Sequence, residues 1–78
     1  MKMISGAELQ VGDTIGVWWD KHTKRDTVSE LREYNGTYAN DPKVFPFGAR
    51  IARFVSDNGM TIPNDVTIEL YYRNGIAQ

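Results

Sequence analysis

Residues Val66 to Arg73 alternate without a break: Val66, Ile68, Leu70 and Tyr72 share one face, and Thr67, Glu69, Tyr71 and Arg73 share the other. A period of two, carried by β-branched and aromatic side chains, specifies a strand with one buried face. The rest of the chain repeats that signal in shorter pieces. Thr14 to Trp19 sets Ile15, Val17 and Trp19 on one face and Thr14, Gly16 and Trp18 on the other. Gly16 inside it marks a bulge or a close neighbouring backbone. Thr27 to Tyr34 returns as a second strand after the wholly polar stretch Asp20–Asp26. Val28 and Leu31 are three apart, so both face inward only if a bulge lies between them; a helix is the competing reading.

Asn35-Gly36 is a turn signal, and Thr37 to Phe47, with Pro42 and Pro46, reads as a long aromatic loop. Gly48 to Val55 is ambiguous. Phe47, Ile51, Phe54 and Val55 have helical spacing, whereas Ala49, Ile51 and Val55 fit one strand face. Asp57-Asn58-Gly59 then turns the chain into Met60-Thr61-Ile62, and Pro63-Asn64-Asp65 turns it again. Ser5 to Val11 has capping-box spacing, Ser5 to Glu8, with Ile4 and Leu9 placed as a staple, enough for one helical turn. The ends, residues 1–5 and 74–78, read as loose.

Five short strands with turns every eight to twelve residues predict an all-β fold, a small five-stranded SH3-like barrel. The alternative is α+β, with a short helix at 47–55 packed on an antiparallel sheet. The predicted core is Ile15, Val17, Trp19, Val28, Leu31, Ile51, Phe54, Ile62, Val66, Ile68 and Leu70. At 78 residues the chain is a single domain, 1–78, with a thin core. It has no cysteine and one histidine, so neither disulfides nor a thiolate or histidine metal site can brace it. Nine rings (two Trp, four Tyr, three Phe) help fill that core instead. Oligomerisation stays open as a further support. No stretch approaches a signal peptide or a membrane span, and the expected location is the cytoplasm.

Four segments carry a resemblance: Val11-Gly12-Asp13-Thr14-Ile15-Gly16-Val17-Trp18-Trp19, Arg25-Asp26-Thr27-Val28, Gly48-Ala49-Arg50-Ile51-Ala52-Arg53-Phe54 and Gly59-Met60-Thr61-Ile62. Together they resemble a group of short proteins from bacteria and their phages with no assigned activity. The resemblance spans most of the chain. It implies a compact single domain and a phage or prophage origin, and it implies no mechanism.

Catalysis has little to draw on. Ser29 and Ser56 lack a nucleophile-elbow frame, and His22 sits in a polar loop between Lys21 and Thr23. The carboxylates are scattered singly, and no phosphate- or dinucleotide-binding fingerprint occurs. The chain is therefore expected not to be an enzyme and to hold no cofactor. Asp57, Asn58 and Asp65 flank turns without calcium-loop spacing, so no metal site is expected. Net charge is −1, which removes bulk attraction to nucleic acid or anionic lipid.

Two binding readings remain. A protein partner, or a second copy of the chain, would meet an aromatic and arginine patch of Trp18, Phe45, Arg50, Tyr71 and Arg73. Trp18 and Trp19 are adjacent and point to opposite faces, so one ring is outward or lies under a loop. The alternative is nucleic-acid binding by a small β-barrel through Lys21, Lys24, Arg25, Arg50 and Arg53 with exposed rings. Against it, the loop residues serve equally as a solvated face, and Asp20, Asp26, Glu30 and Glu33 dilute the potential.

Overall fold

The structure, a computed structural model, describes residues 1–19 and 25–78. Among them are seven strands: β1 (Lys2–Ser5), β2 (Asp13–Gly16), β3 (Arg25–Glu33), β4 (Ala49–Phe54), β5 (Gly59–Pro63), β6 (Thr67–Arg73) and β7 (Ile76–Ala77). A single 3-10 turn, Gly6–Glu8, links β1 to β2, with the Ser5 hydroxyl on the Glu8 carboxylate at 3.1 Å. The strands form one antiparallel sheet in the order β1-β6-β2-β3-β4-β5, with β7 beside β6.

The expected five-stranded SH3-like barrel is corrected. The fold is all-β, but among the described residues β1 pairs only with β6 and β5 only with β4, so the sheet does not close. The α+β alternative with a helix at 47–55 is corrected too. Ala49–Phe54 is a strand hydrogen-bonded to β3 on one side and β5 on the other. The apparent helical stripe was half illusory: Phe47 is 70% exposed and Val55 67%. What is buried alternates, with Ala52 and Phe54 inward and Ile51 and Arg53 outward.

Two bulges decide which side chains enter. In β3 the register shifts between Val28 and Glu30, so Val28 and Leu31 both reach the core cluster, as the sequence predicted. In β6 the pairing with β2 passes from Leu70 opposite Ile15 to Tyr72 opposite Thr14, skipping Tyr71. Beyond that point the faces exchange. Tyr72 is exposed, and Arg73 comes to lie beside Asp13. The unbroken alternation of the sequence therefore ends one residue pair early.

Lys2–Ser5 and Ile76–Ala77, loose ends by sequence, are paired strands. β7 follows a two-residue turn at Asn74-Gly75, both with positive φ (51° and 79°), as a type I′ hairpin turn requires. The core is Ile4, Leu9, Ile15, Val17, Val28, Ala52, Phe54, Ile62, Ile68 and Leu70, with Trp19, Leu31 and Met60 packed against it. Val66 is exposed and Ile51 only half-buried on the outer face of β4.

Candidate functional site

Three polar clamps fix the framework around the candidate site. Asp13 is fully buried. Arg73 grips it with two parallel bonds, Nε to Oδ1 at 2.9 Å and Nη2 to Oδ2 at 3.0 Å. The Gln10 amide donates to the same carboxylate at 2.9 Å. The hydrogen bond that Arg73 donates to Asp13 raises the Arg73 pKa above its ordinary value, with desolvation opposing and the nearby negative charges of Asp13 and Glu8 assisting. Arg50 donates from Nη2 to the carbonyls of Gly6 (2.6 Å) and Leu9 (2.9 Å), tying β4 to the chain around the 3-10 turn. Asp26, also buried, accepts from the Trp19 indole Nε1 at 2.9 Å and from the Ser56 hydroxyl.

That last clamp settles which tryptophan is outward. Trp19 packs edge-on against Phe54 with centroids 4.9 Å apart and is held by Asp26. Trp18 is 75% exposed, touching Trp19 edge-on at 5.4 Å. It stands at the mouth of an apolar groove of about 110 Å³ whose walls include Ile15, Met60, Ile62, Val66 and Ile68. The groove is the seam of the unclosed sheet. Ile15 and Ile68 belong to the β2/β6 half and Met60 and Ile62 to β5, and no strand among the described residues bridges them. Three core side chains, Ile15, Ile62 and Ile68, together with half-buried Met60 and exposed Val66, thus form the walls of a surface cleft, with a large exposed ring beside it.

Tyr71 lies in a separate cluster. Gly16, on β2, leaves room there, and the Arg25 guanidinium lies 3.9 Å from the centre of the Tyr71 ring. A Cβ at Gly16 would stand 2.9 Å from the Glu69 carboxylate and 3.5 Å from the Tyr71 ring. Phe45 sits in the loop after β3, half-buried and edge-on to Tyr34 at 5.1 Å. Of the predicted protein patch, then, Trp18 is a free surface ring. Arg50 and Arg73 are engaged in clamps, Tyr71 carries Arg25, and Phe45 packs on Tyr34.

Of the predicted nucleic-acid set, Lys21 and Lys24 lie outside the described residues, as does His22. Arg25 and Arg50 are placed as above. Arg53 is exposed on the outer face of β4, where Glu30, Arg32, Ile51 and Arg53 line a shallow concavity of about 460 Å³. Arg32 is paired there with Glu30 at 2.5 Å. The groove walls Met60, Ile62, Val66 and Ile68 were not among the predicted site residues; alternation marks Ile62, Val66 and Ile68 as core, and only the absence of a bridging strand among the described residues turns this face into a cleft.

Among the described residues no group of three or more His, Cys, Asp or Glu is placed to hold a metal ion, and no helix is long and apolar enough to cross a membrane. No family model, curated protein or solved structure matches the chain, so the phage or prophage origin implied by the four-segment resemblance gains no support.

Proposed function

We propose that the protein is a binding module, not an enzyme, and that it docks a protein partner at the open seam with Trp18 as the anchor. One observation carries this reading: a tryptophan 75% exposed beside an apolar groove walled in part by core residues. Exposed tryptophan next to an apolar cleft is the chemistry of interface hot spots, because the ring brings a large area at little entropic cost.

The test is capture of partners on immobilised protein, with Trp18→Ala and Met60→Glu as paired baits. Both variants are expected to lose the proteins that the parent retains, while the unfolding midpoint of Trp18→Ala stays within error of the parent. Retention of the same proteins by both variants overturns the reading. Self-association at the seam would appear as a concentration-dependent elution volume abolished by the same substitutions.

The concavity at Arg32 and Arg53 favours a second reading, contact with nucleic-acid phosphates. The guanidinium of Arg53 makes no hydrogen bond or ion pair among the described residues, which leaves its donors available to a phosphate. Titration with single-stranded oligonucleotides at two salt concentrations tests it. Binding that falls steeply with salt and weakens in Arg53→Gln is the expected result; binding that is absent, or insensitive to salt, removes it.

A further inference from the structure

The edge of β5 lies along the same seam and is open from Gly59 to Thr61, whereas at its end the Pro63 carbonyl accepts from the Val66 amide and lies against Gly6; the backbone of the open stretch specifies what can pair there. Phe54 donates its amide to the Asn58 carbonyl, and Asn64 donates its amide to the Gly48 carbonyl. Between those bonds Ala52 faces Met60 and Arg50 faces Ile62. Antiparallel bonding alternates, so Met60 and Ile62 turn their backbone groups to β4. Gly59 and Thr61 turn theirs away from it, toward an edge that no described strand occupies. The Met60 and Ile62 side chains meanwhile point into the groove.

We propose that β5 accepts an extended segment of a partner protein as an added antiparallel strand. The incoming strand would exchange hydrogen bonds with Gly59 and Thr61 and lay alternate apolar side chains into the groove beside Trp18. This deepens the docking function proposed above and rests on it. The chemistry is main-chain pairing for affinity and side-chain pockets for selectivity.

Charge selects between a foreign strand and a second copy. Asp57 and Asp65 flank β5, both are exposed, and neither makes an ion pair among the described residues. Antiparallel pairing of two β5 strands centred on Thr61 would set Asp57 of each copy against Asp65 of the other. It would also set Gly59 against Pro63, which has no amide hydrogen to give. Both features oppose self-pairing. The same two carboxylates favour an occupant with a basic residue at each end.

The test uses isotope-labelled protein and the peptide Lys-Thr-Val-Thr-Val-Thr-Lys, followed by amide chemical shifts. In the proposed register the threonines face outward and bond to β5, and the valines face the groove. The amides of Gly59 and Thr61 are expected to shift and saturate by about 1 mM peptide, a range accessible to weak strand pairing. N-methylation of the threonines is expected to abolish binding, and N-methylation of the valines to leave it within about twofold. Lysine-to-glutamate replacement at both ends is expected to weaken binding at least about tenfold at low salt. In the protein, Thr61→Pro removes an outward amide without touching a bond to β4 and is expected to cost at least about tenfold. Equal binding of all methylated peptides, or no shift at Gly59 and Thr61, overturns strand addition even where Thr61→Pro fails to fold. If Trp18→Ala abolishes binding but threonine methylation does not, docking at the seam stands and strand pairing falls. If methylation abolishes binding but Trp18→Ala and Met60→Glu do not, strand pairing stands and the anchor reading falls.

Discussion

Trp19→Phe and Trp18→Phe remove the same indole N–H from adjacent residues, yet they should differ sharply in cost. Trp19 donates to Asp26 at 2.9 Å, and Asp26 is buried and also holds Ser56. Phenylalanine keeps an aromatic ring against Phe54, which Trp19 meets edge-on at 4.9 Å, but leaves a largely desolvated carboxylate one donor short. A hydrogen bond to a charged group contributes about 1.5–3 kcal/mol, so a loss of about 2 kcal/mol is expected. A chain of 78 residues has a total stability of roughly 4–12 kcal/mol. The substitution therefore removes a sizeable share.

With a urea slope of about 1 kcal/mol/M for a domain this small, the midpoint should fall by about 2 M. Trp18 is exposed and its indole N–H has no hydrogen-bond partner among the described residues, so Trp18→Phe should stay within about 0.5 kcal/mol of the parent. Equilibrium urea unfolding followed by far-ultraviolet circular dichroism measures both without relying on tryptophan fluorescence. Equal midpoint shifts in the two variants, or a Trp19→Phe cost below about 0.5 kcal/mol, would refute the assignment of Trp19 as the ring held by Asp26 and Trp18 as the outward ring.

Arg73→Met strands the buried Asp13 carboxylate and should lower the urea midpoint far more than Arg32→Met, whose pair with Glu30 is solvent-exposed. The pKa of Arg73 is raised, so its stabilisation is complete below the ordinary guanidinium value and lost only as pH rises through the higher folded value; the difference between parent and Arg73→Met attributable to Arg73 ionisation should be flat from neutral to mildly alkaline pH. Gly6→Ala would place a Cβ 2.0 Å from the Pro63 carbonyl oxygen, so the 63–66 segment must move. Hydrogen exchange should show lost protection at the Gly6 and Ala7 amides, which bond to the Val66 and Asn64 carbonyls. Ile4→Ala should cost about 2–4 kcal/mol in thermal or urea unfolding, because Ile4 is buried in β1 opposite Ile68.

Period-two alternation and turn chemistry placed β2, β3, β5 and most of β6 in the sequence, along with the bulge in β3. They did so because each of these elements buries one face and shows water the other. The bulge at Tyr71 left no trace, since Tyr72 is as apolar as an inward residue would be; only the demand of Asp13 for a charged partner explains why Arg73 and not Tyr72 turns in. The final hairpin was legible and was missed: Asn74-Gly75 is the strongest two-residue turn signal, but Ile76–Ala77 is too short to announce a strand. Lys2–Ser5 carries one buried residue, Ile4, so alternation had nothing to show. The site was legible only as a choice between two tryptophans. Arg50 and Arg73 looked like surface cations because no local pattern reveals that their acceptors lie more than 40 positions away, at Gly6, Leu9 and Asp13.

An open sheet edge invites uncontrolled pairing, and β5 carries features that limit it without closing it. The strand is five residues long, ends in Pro63 and is flanked by Asp57 and Asp65. Short length, proline and edge charge are the usual means of discouraging a second copy. None of them blocks the Gly59–Thr61 stretch against an occupant of opposite charge. A sheet needing only protection from aggregation would gain more from a charge pointing inward at the edge, yet the inward positions here are Met60 and Ile62, facing a groove with Trp18 at its mouth. Edge charge that repels self, combined with an apolar groove that would hold a stranger, is the pattern expected of a surface selected to bind. Exchanging Asp57 and Asp65 for lysine should keep the fold, at a modest stability cost because Asp57 has a φ of 71° that lysine adopts less readily, and should reverse the preference from lysine-ended to glutamate-ended peptides. A protein that keeps its original preference after that exchange would show that the two carboxylates take no part in selecting the occupant.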